Sequence, residues 1–310
     1  MIDIQNVSKR YGAVYALHDV SLHVEKGTVL GLLGQNGAGK TTLLNILTGY
    51  LAPTTGRVLL DGADVLLEPE EARRHLGYLP EQPPLYDEMT VREYLRYAAA
   101  LRNVEKRSIP GHVDEIMELC GLTSMQHRLL SHLSKGYRQR AGFAQALCGD
   151  PEVLVLDEPT VGLDPKQIVE IRSLIQKMGK GRTVIFSSHI LTEVQQLCDE
   201  VVILHDGKIK TTLSMNSREE DSSQNINVLL TVAAAEGSIV SRIKGLEGVR
   251  KVQVQPSRRE GQTTMLITFH QQNEPERRLF ALLSGLSIPI LHLSREESSL
   301  EQLFLKAISE

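Results

Sequence analysis

The chain has 310 residues, 41% of them hydrophobic, which is enough for one large domain with a sizeable core and a second, smaller domain. Its net charge is only −4 and 4% of its residues are aromatic, so no strongly basic surface indicates binding to nucleic acid or anionic lipid. We therefore expect a globular protein with no nucleic-acid partner.

Three cysteines, Cys120, Cys148 and Cys198, lie far apart and form no CxxC pair. This spacing argues against a disulfide framework or a zinc site and favours structural thiols in a reducing compartment. The start of the chain has no apolar segment of the kind that a secretory signal needs, and the most apolar long window, 279–293, is too short to span a bilayer. We expect a cytoplasmic location, with any membrane span supplied by another chain.

The first elements of the chain are predicted to be strands. Residues 2–28 alternate apolar and polar side chains and are interrupted by Gly12 and Gly27, which is typical of antiparallel strands at an edge. The sequence TVLGLLG, ending at Gly34, is apolar without alternation and predicts a strand buried on both faces. A helix closed by Gly49 is predicted to follow.

A phosphate-binding loop stands between this strand and this helix. The sequence GQNGAGKT fits the pattern GxxxxGK[ST] in the strand-then-helix context that the motif requires. Its glycines would let successive backbone N–H groups face the β- and γ-phosphates at the positive end of the helix. The alternative is a chance match in a glycine-rich turn. The predicted nucleotide-binding residues of the loop are Gly34, Gln35, Asn36, Gly37, Ala38, Gly39, Lys40, Thr41 and Thr42.

Three side chains of this loop have separate predicted tasks. Lys40 would supply a full positive charge to the phosphates. Thr41 would give its hydroxyl to Mg²⁺, and Thr42, one residue further into the helix, would reach the α-phosphate.

The next segment joins a stiff loop to an inserted helical region. Gln82 lies in YLPEQPPLYD among three prolines, in a loop that could carry movement from a metal ligand to a neighbour. By itself it could equally be an ordinary loop glutamine. Thr90 and Glu93 form a TxxE capping box ahead of one helix, and a second helix ends at Gly121.

A second anion site is suggested by the sequence HLSKGYRQRAGFAQALCG. Ser134 occupies an N-cap position, Gly136 permits close backbone approach, and apolar residues recur at helical spacing up to Gly149. A serine cap with nothing bound is also sufficient to explain this pattern.

Two further buried strands end in polar residues. The sequence VLVLDE ends in Asp157, which would orient the Mg²⁺ shell, and Glu158, which could polarise the attacking water, although the pair could be a simple acidic turn. The sequence RTVIFSSH ends in His189, which could hold the γ-phosphate or satisfy a local hydrogen bond. With the helix between them, these strands predict a parallel sheet whose chemistry lies at the carboxyl ends of its strands.

The sequence also predicts two domains. Residues 214–225 are polar and without periodicity, which indicates a linker between a first domain of residues 1–213 and a second of residues 226–310. The second has the order β, α, β, β, α, β with a last helix SLEQLFLKAIS, which is typical of a ferredoxin-like α+β domain. Its ten basic and nine acidic residues balance, so nothing indicates RNA binding.

Taken in chain order, these motifs resemble the full series of an ABC transporter ATP-binding protein. They match an aromatic adenine loop at Tyr11, Walker A at GQNGAGKTT, a Q-loop at Gln82, the signature LSKGYRQR, Walker B at VLVLDEP, a D-loop at GLDP and a switch histidine at His189. Read alone, Tyr11 could stack on adenine or simply pack at a sheet edge. The signature variant and the added C-terminal domain most resemble the ABC-2 subgroup, which includes drug-export, sodium-export and gliding-motility-associated ATPases.

The resemblance implies a fold, two cofactors and a partner. The fold would be an α/β P-loop ATPase domain with a parallel sheet core, an antiparallel β edge and a helical subdomain, and the cofactors would be ATP and Mg²⁺. Two such subunits, as a homodimer, would pack head to tail, with ATP between the Walker A of one and the signature of the other. Ser134 and Gly136 would then contact the partner's γ-phosphate, and Asp164 would cross the same interface.

The resemblance also assigns the remaining roles. Glu158, His189 and Gln82 would be catalytic, while Thr41, Gln82 and Asp157 would hold Mg²⁺. The Q-loop and helical region would receive a helix of a separate transmembrane permease, which places the protein on the cytoplasmic face of the cell membrane.

The signature departs from the family pattern at two positions. Lys135 replaces the usual first glycine and Tyr137 the usual glutamine. Lys135 could add charge near the phosphates.

Two functions of different classes remain open at this point. The first is the ATPase subunit of an ABC-2 type exporter, in which ATP hydrolysis is coupled to transport. The alternative is a soluble ABC ATPase that acts on ribosomes or DNA. Ribosome-acting members usually carry two ATPase domains in one chain and DNA-acting members a long coiled coil, and this sequence has neither, which favours transport.

Overall fold

The computed structural model describes residues 1–215, 225–256, 261–270, 274–296 and 304. The chain divides into two compact units, Met1–Met215 and Asn216–Glu310. Ser214 and Asn225, the two ends of the predicted linker, each belong to a strand, while 216–224 lie outside the described residues. The predicted last helix, 299–309, also lies outside them apart from Phe304.

The first unit opens with three strands, which are followed by a mixture of helices and strands. Its strands are β1 (Ile2–Tyr11), β2 (Val14–Val24), β3 (Val29–Leu33), β4 (Thr55–Leu60), β5 (Ala63–Asp64), β6 (Leu76–Leu79), β7 (Val153–Leu156), β8 (Thr183–Ser188), β9 (Glu200–His205) and β10 (Lys208–Ser214). Its helices are α1 (Lys40–Leu47), α2 (Pro69–Arg74), α3 (Val91–Leu101), α4 (Ile109–Leu119), α5 (Lys135–Leu147), α6 (Pro165–Gly179) and α7 (Leu191–Leu197).

These strands form two sheets. The alternating opening segment gives β1 and β2, which are antiparallel as predicted and which, with β4 and β5, make a separate sheet of order β2-β1-β4-β5. The second sheet has the order β10-β9-β3-β8-β7-β6, in which β9, β3, β8, β7 and β6 are parallel. Because β3, β8 and β7 are parallel neighbours, their carboxyl ends meet at one edge of the sheet.

The core of this unit fixes α1 against both sheets. The helix buries Leu43, Leu44, Ile46 and Leu47 in a cluster shared with strands of each sheet. Full burial of one such side chain contributes about 1.5–3 kcal/mol. Every residue of β7 and β8 is buried, which explains why their apolar residues stand side by side without alternation. The start of α1 is therefore held beside the carboxyl end of β3.

A helical region separates β6 from β7 in the sequence. Thr90 caps α3 by accepting a hydrogen bond from the Glu93 amide, and the Glu93 carboxylate accepts one from the Thr90 amide, so the predicted capping box is confirmed. Helix α3 packs against α4 and α5. The first residues of α5 belong to this helical region. They therefore form a surface separate from the glycine-rich loop.

The second unit is an antiparallel sheet with two helices. Its elements are β11 (Asn225–Val232), α8 (Glu236–Lys244), β12 (Val249–Gln255), β13 (Thr263–His270), α9 (Pro275–Gly285) and β14 (Ile290–Glu296). The strand order β12-β13-β11-β14 is the ferredoxin-like order expected from the βαββαβ sequence. Its core is formed by buried apolar residues of the sheet and both helices, among them Leu230, Ile239, Ile267 and Leu279.

No helix in the described ranges is both long enough and apolar enough to cross a bilayer. The three cysteines are free and buried. Burial raises the pKa of Cys120 and of Cys148 to about 12, so both are neutral thiols at ordinary pH. Their contribution is packing, as the sequence predicted.

Candidate functional site

The glycine-rich loop lies tightly against its surroundings. Gly37 and Gly39 have φ values of +84° and +106°, in the left-handed region that favours glycine. A Cβ on Gly39 would stand 2.6 Å from the Ala16 carbonyl oxygen, and one on Gly34 would overlap the Leu204 carbonyl oxygen. Helix α1 starts directly after Gly39 and has no side-chain N-cap, so the amides of its first turn open toward the loop.

Lys40 places a buried charge beside the loop backbone. Only 5% of its surface is exposed. Its ammonium group donates hydrogen bonds to the carbonyl oxygens of Gly34, at 2.7 Å, and Gln35, at 3.3 Å, and lies 3.2 Å from Glu158 Oε1. A buried ammonium group is stable only with such partners. The loop therefore holds a desolvated cation at the carboxyl end of β3.

Asp157 and Glu158 follow β7 and are connected through one serine of β8. The Ser187 hydroxyl donates to Asp157 Oδ1 at 2.6 Å and accepts a hydrogen bond from the Glu158 amide at 2.8 Å. All three residues are buried. Because Asp157 binds Ser187 while the Glu158 side chain turns to Lys40, the two carboxylates face different partners and are not a solvated acidic turn.

Glu158 has a strained backbone. Its φ is +45°, and six of the eight non-glycine residues with positive φ in the described ranges are Asn or Asp, which tolerate that conformation. Such strain costs about 1–3 kcal/mol and persists where surrounding contacts enforce it. The contacts here are Ser187, Lys40 and His189, whose Nδ1 lies 2.9 Å from Glu158 Oε2. His189 does satisfy a local hydrogen bond, and its partner is the candidate general base.

Tyr78 supports this cluster from the neighbouring strand β6. Its hydroxyl donates to Asn45 Oδ1 at 3.0 Å, which ties β6 to α1. Burial, and then the negative charge of Asp157, raise the pKa of Tyr78 well above its usual range. The phenol therefore stays neutral and adds no charge to the site.

The start of α5 carries the second candidate anion site. Ser134 is the N-cap residue, as predicted, but its side chain forms no capping hydrogen bond and is exposed. The interpretation of this serine as an ordinary helix cap is therefore wrong, since its hydroxyl does not satisfy the α5 amides. Gly136 is buried, and a Cβ there would stand 2.7 Å from the Gln167 side chain.

The D-loop packs against the signature of its own chain. Asp164 caps α6 by accepting a hydrogen bond from the Gln167 amide at 2.9 Å, and the carboxylate is exposed. Gly162 has a φ of +70°, and a Cβ added there would overlap the Lys135 ammonium group. The charge of Lys135 is thus directed at the D-loop in this structure.

Tyr11 and Gln82 stand apart from the buried cluster. Tyr11 is 53% exposed at the end of β1, where the Lys9 ammonium group lies 5.3 Å from the centre of its ring. Tyr15, on the paired strand, is 48% exposed and offers a second aromatic ring that sequence reasoning missed. Gln82 is an exposed residue of the loop that follows β6.

Ser187 is the other residue that sequence reasoning missed. The serine is visible in FSSH, but its role depends on β7 and β8 being adjacent, which a single sequence does not specify. A serine two positions before a strand-terminal histidine was the only available signal.

The oxygen donors that the sequence predicts are of the types that a magnesium ion shared with phosphates prefers. Thr41 has a hydroxyl, Asp157 a carboxylate and Gln82 an amide oxygen. Asp157 is bonded to Ser187, and Gln82 lies in the exposed loop after β6. Within the described ranges, no cluster of three or more His, Cys, Asp or Glu side chains could hold a metal by itself. Mg²⁺ typically binds through one or two carboxylates together with substrate phosphates and water, so this donor set suits it.

The fold and this site define an ATPase of the ATP-binding-cassette class. A family model described as "ABC transporter" matches residues 17–161. The protein NatA of Bacillus subtilis, an ABC transporter ATP-binding protein, is 36% identical over 76% of this chain and 99% of its own length. The bacitracin transport ATP-binding protein BcrA of Bacillus licheniformis is 39% identical over 67% of this chain and 68% of its own length. The uncharacterized ABC transporter ATP-binding protein YdbJ of Bacillus subtilis is 34% identical over 99% of this chain and 95% of its own length.

Solved structures agree with this assignment. The ATP-binding subunit of an ABC transporter matches with a TM-score of 0.65 and 30% identity, over 71% of this chain and 92% of that chain. The dimeric cassette MJ0796 in a post-hydrolysis state, bound to ADP and Pi, matches with a TM-score of 0.64 and 26% identity, over 69% and 99% of the two chains. This chain belongs to the family of ABC transporter ATP-binding proteins, and it binds and hydrolyses ATP.

Proposed function

We propose that this chain is the ATPase subunit of an exporter and that it drives a separate membrane permease by ATP-dependent closure of a dimer. The observation that carries the proposal is an asymmetry within one chain. Lys40 and Glu158 are buried and bonded to each other, and His189 bonds to Glu158, whereas the Ser134 hydroxyl is exposed and forms no capping bond. Each chain thus has one group of residues that is bonded internally and another that faces outward. This arrangement suits two chains packed head to tail, because the outward-facing group of one chain can reach the other group in its partner.

ATP binding would begin at the loop of one subunit. The glycine backbone and the amides of α1 would bind the β- and γ-phosphates, with the triphosphate drawing the Lys40 ammonium group away from Glu158 Oε1, now 3.2 Å away. Tyr11, half-exposed at the end of β1, would stack on the adenine ring. Thr41, Asp157 and Gln82 would hold Mg²⁺, which when bound neutralises phosphate charge.

Hydrolysis would then use the groups around β7 and β8. Glu158, released from Lys40, would accept a proton from water as the water oxygen attacks the γ-phosphorus and the bond to the β-phosphate oxygen breaks. His189, 2.9 Å from Glu158 Oε2, would orient that carboxylate and contact the γ-phosphate. The products are ADP and inorganic phosphate.

The second subunit would complete the site from its α5. Its Ser134 hydroxyl and the Gly136 amide would bind the γ-phosphate, and Asp164 would lie at the same interface. A homodimer is the simplest such assembly. Loss of the γ-phosphate would remove the shared ligand and open the pair.

The export function draws on the relatives and on one exposed surface. Relatives named for bacitracin and lantibiotic transport support export over action on ribosomes or DNA. An aromatic cluster follows the Gln82 loop, in which Tyr86 packs against Tyr94 and Tyr97 with ring centroids 5.9 and 5.6 Å apart. Tyr86 and Tyr97 remain 44% and 40% exposed, so this cluster suits a helix of the permease. The protein would then sit at the cytoplasmic face of the membrane through that partner.

Affinity capture tests the transport proposal. The tagged full-length chain, taken from membranes in mild detergent, should recover a polytopic membrane protein, and Tyr97→Asp should abolish that recovery. Phe280→Asp is the matched control, because Phe280 is 61% exposed but lies in the second unit. Both variants should still bind ATP. Failure of the wild-type chain to recover any polytopic partner would rule out the transport function.

A further inference from the structure

A buried carboxylate lies close to His189 in the chain and has no part in the steps above. Glu193, in the first turn of α7, is 1% exposed. Burying a carboxylate is costly unless it is hydrogen-bonded or paired. The contacts of its two oxygens therefore indicate why it is there.

One oxygen holds the residue that precedes His189. Ser188, also 1% exposed, donates its hydroxyl proton to Glu193 Oε2 at 2.8 Å and accepts a hydrogen bond from the Ile190 amide at 3.0 Å. The Glu193 amide donates to the Ile190 carbonyl oxygen at 3.2 Å. His189 lies between Ser188 and Ile190, so this ring of buried hydrogen bonds fixes the backbone on both sides of it.

The other oxygen faces α6. Glu193 Oε1 is 3.7 Å from Arg172 Nη2, and the Arg172 Nη1 atom donates to Gln196 Oε1 at 2.8 Å. Within the described ranges, neither Glu193 Oε1 nor Arg172 Nε has a hydrogen-bond partner, although both are buried. A buried pair at this separation gains little of the stabilisation that a close bidentate contact would provide. A small shift of α6 against α7 would therefore change the energy of this pair.

We propose that Glu193 is the positioning residue for His189 and that it couples the histidine to α6. This inference rests on the role proposed above for His189. Helix α6 begins directly after Asp164, at the proposed subunit interface, so closure of the dimer moves Arg172 relative to Glu193. Through Ser188, that movement sets the orientation of the His189 ring against Glu158 Oε2.

Steady-state kinetics on the full-length chain test the coupling. Glu193→Ala should lower kcat for ATP hydrolysis about ten- to a hundredfold, because a misplacement of the order of 1 Å costs that much. The KM for ATP should stay within about twofold, since Lys40 and the loop are untouched. Ser188→Ala should reproduce the loss, and the double variant should be no worse than either single variant, as expected for residues acting through one contact. Glu193→Gln keeps an oxygen for the Ser188 hydroxyl and should restore most of kcat.

Val194→Ala is the matched control. Val194 is fully buried on the same helix but contacts the core, so the variant should lower the melting temperature and leave kcat of the folded protein unchanged. If Glu193→Ala does not fold, Ser188→Ala carries the test alone, because it removes only one hydroxyl group.

The histidine NMR spectrum separates this inference from the function on which it rests. The ring signals of His189, assigned by their loss in His189→Ala, should shift in Glu193→Ala and Ser188→Ala but not in Val194→Ala. If His189→Ala keeps its kcat, the catalytic role of His189 is wrong. The shift of the ring signals in Glu193→Ala and Ser188→Ala still shows whether Glu193 positions the His189 ring. If His189→Ala loses activity while Glu193→Ala and Ser188→Ala change neither kcat nor the ring signals, Glu193 is not a positioning residue.

Discussion

The two candidate anion sites of this chain differ in how completely they are built. At the glycine-rich loop, Lys40 and Glu158 are nearly excluded from solvent, at 5% and 7% exposure, and bond to each other and to their neighbours. At the start of α5, Ser134 is exposed and forms no capping bond. The first site can bind phosphate with its own groups, whereas the second has a donor that faces outward.

This difference indicates which site supplies the free energy of nucleotide binding and which supplies the free energy of subunit association. The loop site is preorganised, since its backbone is fixed by glycines and its charges are held in place before ATP arrives. In the proposed dimer, the α5 site would contribute only when the partner's phosphate reaches it. Changes at the two sites should therefore separate into effects on nucleotide binding or chemistry and effects on association.

Glu158→Gln should give the largest effect on the loop side. Loss of the general base should lower kcat by about 10²–10⁴-fold. ATP binding and closure should survive, so size-exclusion chromatography with ATP should show a trapped dimer and phosphate release should be nearly absent. A variant that stays monomeric with ATP would contradict the proposed mechanism.

Lys40→Ala should weaken nucleotide binding itself. Hydrogen bonds to charged groups contribute about 1.5–3 kcal/mol each, so ATP affinity measured by calorimetry should fall by about ten- to a hundredfold or more. Lys135→Ala is the control, because Lys135 lies against Gly162 and should leave monomer affinity unchanged. An unchanged affinity in Lys40→Ala would refute the role of Lys40.

Ser134→Ala should act on association alone. In the Glu158→Gln background, the ATP-dependent dimer should weaken by about ten- to a hundredfold, the cost of one hydrogen bond at each of its two shared sites, while monomer ATP affinity stays the same. Stability gives a second readout. Thr90→Ala, which breaks a formed cap, should lose about 1 kcal/mol of unfolding free energy, whereas Ser134→Ala should lose almost none. Equal losses would mean that Ser134 is an ordinary cap.

Gly162→Ala should give the smallest effect and probes the contact between signature and D-loop. Positive φ at Gly162 makes any Cβ unfavourable by roughly 1 kcal/mol, and displacing the flexible end of the Lys135 side chain adds only a little to it. Gly12→Ala, with φ +58° and no heavy atom within 4 Å of the added Cβ, measures the backbone cost alone. Urea denaturation should show a larger loss for Gly162→Ala than for Gly12→Ala, with the excess removed in the Lys135→Ala background.

Local patterns predicted most of the elements of this fold. The unalternating strands β3, β7 and β8, the capping box of α3 and the βαββαβ order of the second unit follow from burial, capping and periodicity, which act over a few residues. The alternating segment likewise predicted the antiparallel strands β1 and β2. The glycine-rich loop was identified because its chemistry is encoded in consecutive residues.

The missed features join residues that are distant in sequence. Ser187 bonds Asp157 from a neighbouring strand, and the Lys40 ammonium group reaches Glu158 across more than a hundred residues. The strained φ of Glu158 could not be predicted from the sequence DEP either, because it results from contacts with three residues that are distant in the chain. The contact between the Lys135 side chain and Gly162 was likewise not visible in the sequence, because the two residues are distant in the chain.

By itself, the sequence determined that this protein has a phosphate-binding loop, acidic and histidine residues at strand ends, and a serine and glycine at a second helix start. These depend on residue types at short spacing. Only the tertiary structure decided which of them meet, because the parallel order β3-β8-β7 brings Lys40, Glu158 and His189 together. It also decided that Ser134 forms no cap, since whether a hydroxyl bonds to its own helix depends on its rotamer and surroundings.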